Sequence, residues 1–282
     1  MEFCDEIRTG SRRAIANAQE ERILNEKRRS RDLPFDLHPI NSASINDLSK
    51  VIFENEYLPA AFSKEVLDAN DRTYEERLSS CKMIVSPDIT SPTIFGLLAI
   101  GKTPQNFIPG AYVQFLRIDG TELFDSIIDE EEIKGTIPDM IRRTEEKLKA
   151  HNRTAVDISF SPQKTTVDYP HIAFQQLLHN AMLHRLYEGT NAPVRVYWFN
   201  DRVEINSPGG PYGNITPQNF GDPGITDYRN PNIADMMKTL GYVQRYGVGI
   251  QTARNAMERN GNPPIDFNIS QSNVICILRR KR

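Results

Sequence analysis

Apolar and polar positions along the chain fall into periods that predict its elements. The clearest lies at residues 174–187 (FQQLLHNAMLHRLY), where Phe174, Leu177, Leu178 and Ala181 recur at helical spacing and make one apolar stripe. Gln176, Asn180 and His184 are four apart, so on a helix they stack one turn above another on the opposite face. Two carboxamides and an imidazole in a row can accept, donate and ligate; the same row also suits the wet face of an ordinary surface helix.

Residues 44–82 read as short helices. The Ser44-Ile45-Asn46-Asp47 run is a Ser-x-x-Asp cap, and Leu48, Ile52 and Phe53 follow at helical spacing until Pro59 ends that helix. Ser63 caps a second helix, and Tyr74, Leu78 and Cys81 mark one side of a third. A helix-turn-helix forced onto this region would present Asp68, Asp71, Glu75 and Glu76 to phosphate, which repels them. Residues 93–100 (TIFGLLAI) are an unbroken apolar run before Gly101 and predict a buried strand. Residues 111–118 alternate up to Asp119-Gly120 and predict a second strand. An acidic stretch at 129–134 leads into Gly135, and Ile137, Met140, Ile141, Thr144 and Leu148 predict a long helix.

Beyond residue 190 the texture changes. Val194, Val196 and Trp198 alternate with polar residues, and Asn200-Asp201 reads as a two-residue hairpin turn in which both residues tolerate positive φ. The second arm runs into Ser207-Pro208-Gly209-Gly210, where glycines let the backbone approach something closely. Residues 215–230 are aperiodic and rich in Gly, Pro, Asn and Asp, as a flap would be. A helix follows at 232–240. Gly247-Val248-Gly249 then opens another helix, a place where free backbone N–H groups meet an anion. Residues 265–269 and 274–278 close the chain as strands. At the other end, a charged helical pattern spans 14–29, residues 33–40 carry two prolines and read as an extended connector, and the abrupt opening at 1–11 is what a chain without its N-terminal portion would show.

Composition narrows the classes. With 282 residues, 39% hydrophobic and 25% charged, the chain can bury a core in one large or two ordinary domains. A net charge of −3 gives no general field for nucleic acid; the basic runs at 22–31 and 279–282 are local. Three scattered cysteines make neither a disulfide framework nor a zinc spacing, and no apolar run approaches membrane-spanning length, so a cytoplasmic location is expected. His179 and His184 are five apart and do not share a helix face, which argues against zinc.

The order of parts is specific: a helix with an inward Asn, a β-hairpin ending in a Gly-rich loop, a long flap, then Gly-x-Gly opening a helix. It resembles the GHKL-type (Bergerat) ATP-binding fold. A closer resemblance is to bacterial and archaeal transcriptional regulators that join a Schlafen-like AlbA_2 domain to a GHKL-like, RecG-like C-terminal domain. The residues that carry it include Ile7-Arg8-Thr9-Gly10-Ser11, Gly101-Lys102-x-Pro104-Gln105, Asn180-Ala181-x-x-His184-Arg185-x-Tyr187, Asp201-Arg202-x-Glu204-Ile205-x-Ser207-Pro208-Gly209-Gly210, Tyr228-Arg229-Asn230-Pro231 and Gly247-Val248-Gly249-Ile250.

The resemblance implies an α+β fold: an N-terminal helical and strand linker region, then a GHKL-like α/β sandwich. It divides the chain into an AlbA_2 remnant and connector (1–40), a middle region with a small helical subdomain (41–160) and a nucleotide-binding domain (161–282). It implies ATP or ADP with Mg²⁺ as cofactors. Asn180 would hold the metal, Gly209 and Gly210 would pass the adenine with Ser207 beside them, Gly247 and Gly249 would cradle phosphates, and Arg185 and Arg245 would reach phosphate; residues 211–244 would be the lid. Two departures matter. The fold's general base, a Glu four residues before the Asn, is Gln176 here, and an amide takes up no proton at neutral pH. The Asp that reads adenine has no counterpart, its place being filled by Asn206, Ser207 and Pro208. His184 is a possible substitute base. The implied function is a nucleotide-binding regulatory module with weak or no hydrolysis; the alternatives are an ATPase coupled to a nucleic-acid process and a scaffold for protein contacts. DNA, reached through an absent N-terminal domain, and a second copy of the chain are the implied partners.

Overall fold

The computed structural model describes residues 6–9, 12–15, 24, 33–157, 164–244 and 246–281. Strands β1 (Glu6–Thr9) and β2 (Arg12–Ile15) pair antiparallel, with Ile7 opposite Ala14. Ala14 and Ile15, expected to open a helix, are strand instead; Leu24 is helical, and the rest of the expected helix at 14–29 lies outside the described residues. The connector is not simply extended. A 3₁₀ turn at Phe35–Leu37 buries Asp36, whose carboxylate accepts from the backbone N–H of Asn232 (2.8 Å) and Ile233 (3.1 Å) at the start of a distant helix. Burial raises the Asp36 pKa, opposed by these hydrogen bonds and by Lys82.

The helical region comprises α1 (Lys50–Ile52), a π-turn (Phe53–Tyr57), α2 (Leu58–Ala61), α3 (Lys64–Asp68) and α4 (Tyr74–Ser80). Pro59 does not end the first helix. The π-turn before it lets the Leu58 N–H bond back to Phe53 O, and Pro59 then falls in the first turn of α2, where its missing donor is not needed. The apolar run at 93–100 is also a correction: it is helix α5 (Ile94–Ile100), not a strand. Every residue of it is buried, so no periodicity separates the two forms, and the deciding signal is local. Thr93 caps the helix, its hydroxyl accepting from the Gly96 N–H at 2.9 Å.

Strand β3 (Val113–Asp119) is followed by β4 (Ser126–Ile133), which the acidic sequence concealed. Helix α6 (Ile137–His151) makes that strand possible: Lys147 meets Asp129 at 2.9 Å and Glu131 at 3.0 Å, and His151 meets Asp129 at 2.8 Å. A short hairpin, β5 (Thr154–Asp157) and β6 (Lys164–Val167), leads to α7 (His171–His184). Next come β7 (Val194–Trp198), β8 (Arg202–Pro208), α8 (Pro231–Thr239), α9 (Gly249–Asn260), β9 (Asp266–Ile269) and β10 (Asn273–Arg279). The β7–β8 turn lies at Asn200-Asp201 as expected, but without positive φ; Lys82 alone among described non-glycine residues has it. Asn200 is held instead by its side chain, which accepts from Arg117 at 2.7 Å and donates to Asp119 at 3.1 Å.

Six strands form one sheet in the order β4-β3-β7-β8-β10-β9, parallel only between β3 and β7. Phe115, Val196, Ile205 and Cys276 stand in register across it. These side chains and helices α6, α7 and α9 share one core that extends from Ala43 to Leu278. The fold is α+β, helices layered on one mixed sheet, consistent with the GHKL-like α/β sandwich expected from the sequence. Two sheet strands come from residues 41–160 and four from 161–282.

Helix α7 is not a surface helix. Beyond the expected stripe, Ala173, His179, Met182 and Leu183 are buried too. His179, one residue before Asn180, faces away from Asn180's side. One of its ring nitrogens lies 2.8 Å from a Glu145 carboxylate oxygen and the other 2.8 Å from the Tyr242 carbonyl, tying α7 to α6 and to the segment after α8. Burial pushes Glu145 up, but the His179 hydrogen bond and charge outweigh it and leave its pKa below the ordinary value.

Candidate functional site

The face of α7 that carries Gln176, Asn180 and His184 looks into a cavity of ≈ 140 Å³. Its floor is the sheet, at Ile205, Ser207, Val274 and Cys276, and its roof is the segment that includes Ile215, Phe220 and Ile225. Gly209, Gly210 and Gly247 close the ends. Apolar surface makes most of the wall, and polar groups converge on it from α7 and from the flap side, where Asp222, Thr226, Asp227 and Arg229 also line it.

Most residues singled out in the sequence come together here: Gln176, Asn180, His184, Ser207, Gly209, Gly210 and Gly247 all line the cavity. Ser207 Oγ donates to the Ala181 carbonyl at 2.8 Å, fixing the last turn of β8 to α7. Gly209 has φ +99°, and a Cβ there would lie 2.6 Å from Arg229 Nη1. Gly247 has φ +66°, and a Cβ on it would strike Thr226 Cγ2 at 2.7 Å. Gly249, the first residue of α9, is not part of the cavity lining; Gln176 Oε1 lies 2.8 Å from where its Cβ would be. Arg245 lies outside the described residues.

Arg185 is elsewhere. It is 1% exposed, and its Nη2 donates to the carbonyls of Gly110 (2.6 Å) and Ala192 (2.8 Å), with the guanidinium 4.5 Å from the Tyr187 ring centroid. Its side chain leaves α7 away from the cavity because the chain turns extended at this residue, the C-cap of the helix. Burial lowers its pKa.

The roof is a folded flap. Phe220 packs on Phe267 of β9, centroids 5.4 Å apart, and Gly224 and Thr226 press against Gly247 just before α9. The neck of the flap is tied by Asp227, which accepts from the N–H of Asn214 (3.1 Å) and Tyr228 (2.9 Å). Tyr228 stacks on His184 at 5.6 Å and 13°. Burial, then the Arg229 charge, pulls His184 down to about 4, so its ring is neutral at physiological pH and a weak base. Burial pushes the Cys276 thiol up to about 12 and leaves it inert. Asp227, Tyr228 and Arg229 carried no assigned role in the sequence. The Tyr228-Arg229-Asn230-Pro231 run pointed at the last two and nothing pointed at Asp227, since an aperiodic flap has no spacing that tells a lining side chain from a solvent one. Among the described residues no group of three or more His, Cys, Asp or Glu forms a metal cluster, and no helix is long and apolar enough to cross a membrane.

Residues 191–278 match the family model described as "Putative ATP-dependent DNA helicase recG C-terminal". The crystal structure of the DIP2311 protein from Corynebacterium diphtheriae is similar in fold, with a TM-score of 0.66 and 20% identity over 98% of this chain. This chain spans about half of that protein, 53% of its length. No curated protein matches the sequence. The family match bears on the C-terminal part of the chain, and the solved structure bears on the fold alone.

Proposed function

We propose that this chain is a nucleotide-binding regulatory module of a transcriptional regulator, taking ATP or ADP with Mg²⁺ and hydrolysing ATP slowly or not at all. The observation that carries this reading is the convergence of Gln176, Asn180 and His184 with Gly209, Gly210 and Gly247 on one cavity, within and beside the matched residues 191–278. The apolar floor of Ile205, Val274 and Cys276 suits a flat base, and the start of α9 suits phosphate. Adenine would meet Ser207 and backbone groups in place of a carboxylate.

The residues fit the metal in a limited way. Asn180 offers one hard amide oxygen, and the other ligands would be phosphate oxygens and water, the usual division for Mg²⁺. The metal would therefore enter with the nucleotide, where it would screen phosphate charge.

Slow hydrolysis follows from two groups. Gln176 stands where a carboxylate base would be, and His184, held near 4, is poorly matched to proton abstraction at neutral pH. A nucleotide that is kept rather than consumed suits a switch, in which ligand biases the flap between two positions. Gly224 and Thr226 lie against Gly247 in front of α9, so the flap must withdraw before phosphates enter. Any DNA contact would come through an attached domain, and a dimer is a further way for the flap to signal. Titration calorimetry with Mg-ATP and Mg-ADP tests the reading: saturable binding of both, with ATP recovered intact, supports it, and no heat from either removes it.

A further inference from the structure

Three consecutive side chains at the end of the flap, Tyr228, Arg229 and Asn230, close on the end of α7, and nucleotide binding alone does not explain them. An α-helix leaves its last carbonyls without partners. Here Asn230 Nδ2 donates to the carbonyls of Leu183 and Arg185, both at 2.9 Å, and Arg229 Nη1 donates to that of His184 at 3.1 Å. Arg229 also crosses the cleft: its Nη2 donates to Gly210 O at 3.3 Å, and its guanidinium lies 5.1 Å from the Tyr212 ring centroid. One planar group, 6% exposed, thus touches both walls, the helix that carries Asn180 and the glycine loop opposite. The close fit is mutual, since Gly209 has no room for a Cβ because Arg229 and Leu186 stand there. A cation at a helix C-terminus is also favoured by the helix dipole.

We propose that Arg229 is the positioning residue of the cleft: its guanidinium fixes the end of α7 against the Gly209-Gly210 loop and so sets the width of the gap that the base of the nucleotide enters. The proposal rests on the nucleotide reading for what the gap holds, and on the geometry alone for how it is held. Lysine cannot replace arginine fully, because a single ammonium lacks the fork that reaches two carbonyls in one plane. The rest of the clasp, Asn230, keeps α7 capped when Arg229 is changed, so a variant should still fold.

Arg229→Gln and Arg229→Lys test it on the whole chain, with two readouts. The first needs no ligand. The charged groups that bear on the His184 ring are Arg229 and Asp227, and the ring stacks on Tyr228. NMR titration of the His184 ring should move from about 4 toward the ordinary histidine range in Arg229→Gln, as the charge leaves and the gap opens, and less in Arg229→Lys. The second is Mg-ADP affinity, expected to weaken about tenfold in Arg229→Gln and by an intermediate factor in Arg229→Lys. An unchanged His184 titration, or unchanged affinity in a wild type that binds, overturns the proposal. Wild-type protein that binds no Mg-ADP overturns the nucleotide reading, and the His184 titration still judges the clasp. Should Arg229→Gln fail to fold, Arg229→Lys and Tyr212→Leu, which removes the ring beneath the guanidinium, give the same two readouts.

Discussion

On the nucleotide reading proposed above, Gln176 would decide what the cleft can do with a bound triphosphate. It lines the cavity one turn before Asn180, with its Oε1 beside Gly249 at the head of α9. A glutamate has the same shape and adds a base. Gln176→Glu should therefore raise ATP turnover, by up to the roughly 10²–10⁴-fold that a positioned base supplies, in a phosphate-release assay. Turnover no higher than wild type would mean that the side chain does not stand where water attacks. This substitution is the part of the chemistry most legible in the sequence, because the four-residue spacing to Asn180 fixes both side chains on one face. Arg185 was less legible. Its neighbour His184 lies on the cavity, and nothing in the spacing shows that the helix ends between them and sends the guanidinium into the core toward Gly110 and Ala192.

The elements explain what a pattern can and cannot reveal. Helix α9 and the β7–β8 hairpin were readable because each has one buried face and a clear period, and α7 was readable by its stripe although its burial extends beyond it. Helix α5 was not, because all seven of its residues are buried and its only helical mark is the Thr93 cap. Strand β4 was hidden by its acids, which become compatible with a sheet only when Lys147 and His151 arrive from α6. The flap is the element most open to test. Its tip is held by Phe220 on Phe267, an aromatic pair worth about 0.5–1.5 kcal/mol beyond its buried area. Phe220→Ala should speed nucleotide association several-fold and expose residues 215–226 to protease, with the melting temperature little changed; an unchanged on-rate would mean that the flap does not gate the cleft. Helix α8 depends on a group almost 200 residues away. Asp36→Ala leaves the first N–H groups of α8 buried without an acceptor, and should cost about 2–4 kcal/mol in chemical denaturation.

At the scale of the whole molecule, carboxylates and one imidazole set the response to acid. Hydrogen bonds from Lys147, aided by Arg143, hold Glu131 below its ordinary value; at Asp129 and Glu145 the partners outweigh burial with the same result. Groups with depressed folded pKa stabilise the fold above their unfolded values, 3.8 for Asp and 4.5 for Glu, and that stability is lost as pH falls through the folded values. His184 adds to this at higher pH: it binds a proton near 6.5 when unfolded and near 4 when folded, so stability declines as pH drops from 6.5 to 4. Melting temperature should fall in two stages below pH 6.5, and His184→Gln should remove the first; a flat profile from pH 7 to 4 would contradict the burial of that ring. The central claim is a metal-assisted nucleotide site centred on Asn180. The most direct measurement is a thermal melt of the chain and of Asn180→Ala, each with and without Mg-ATP. Ligand that binds only the native state raises stability by RT ln(1 + [L]/Kd), about 2.7 kcal/mol at a hundredfold excess over Kd. The account predicts a clear upward shift in the wild type that disappears in Asn180→Ala. No shift in either protein, or an equal shift in both, would contradict it.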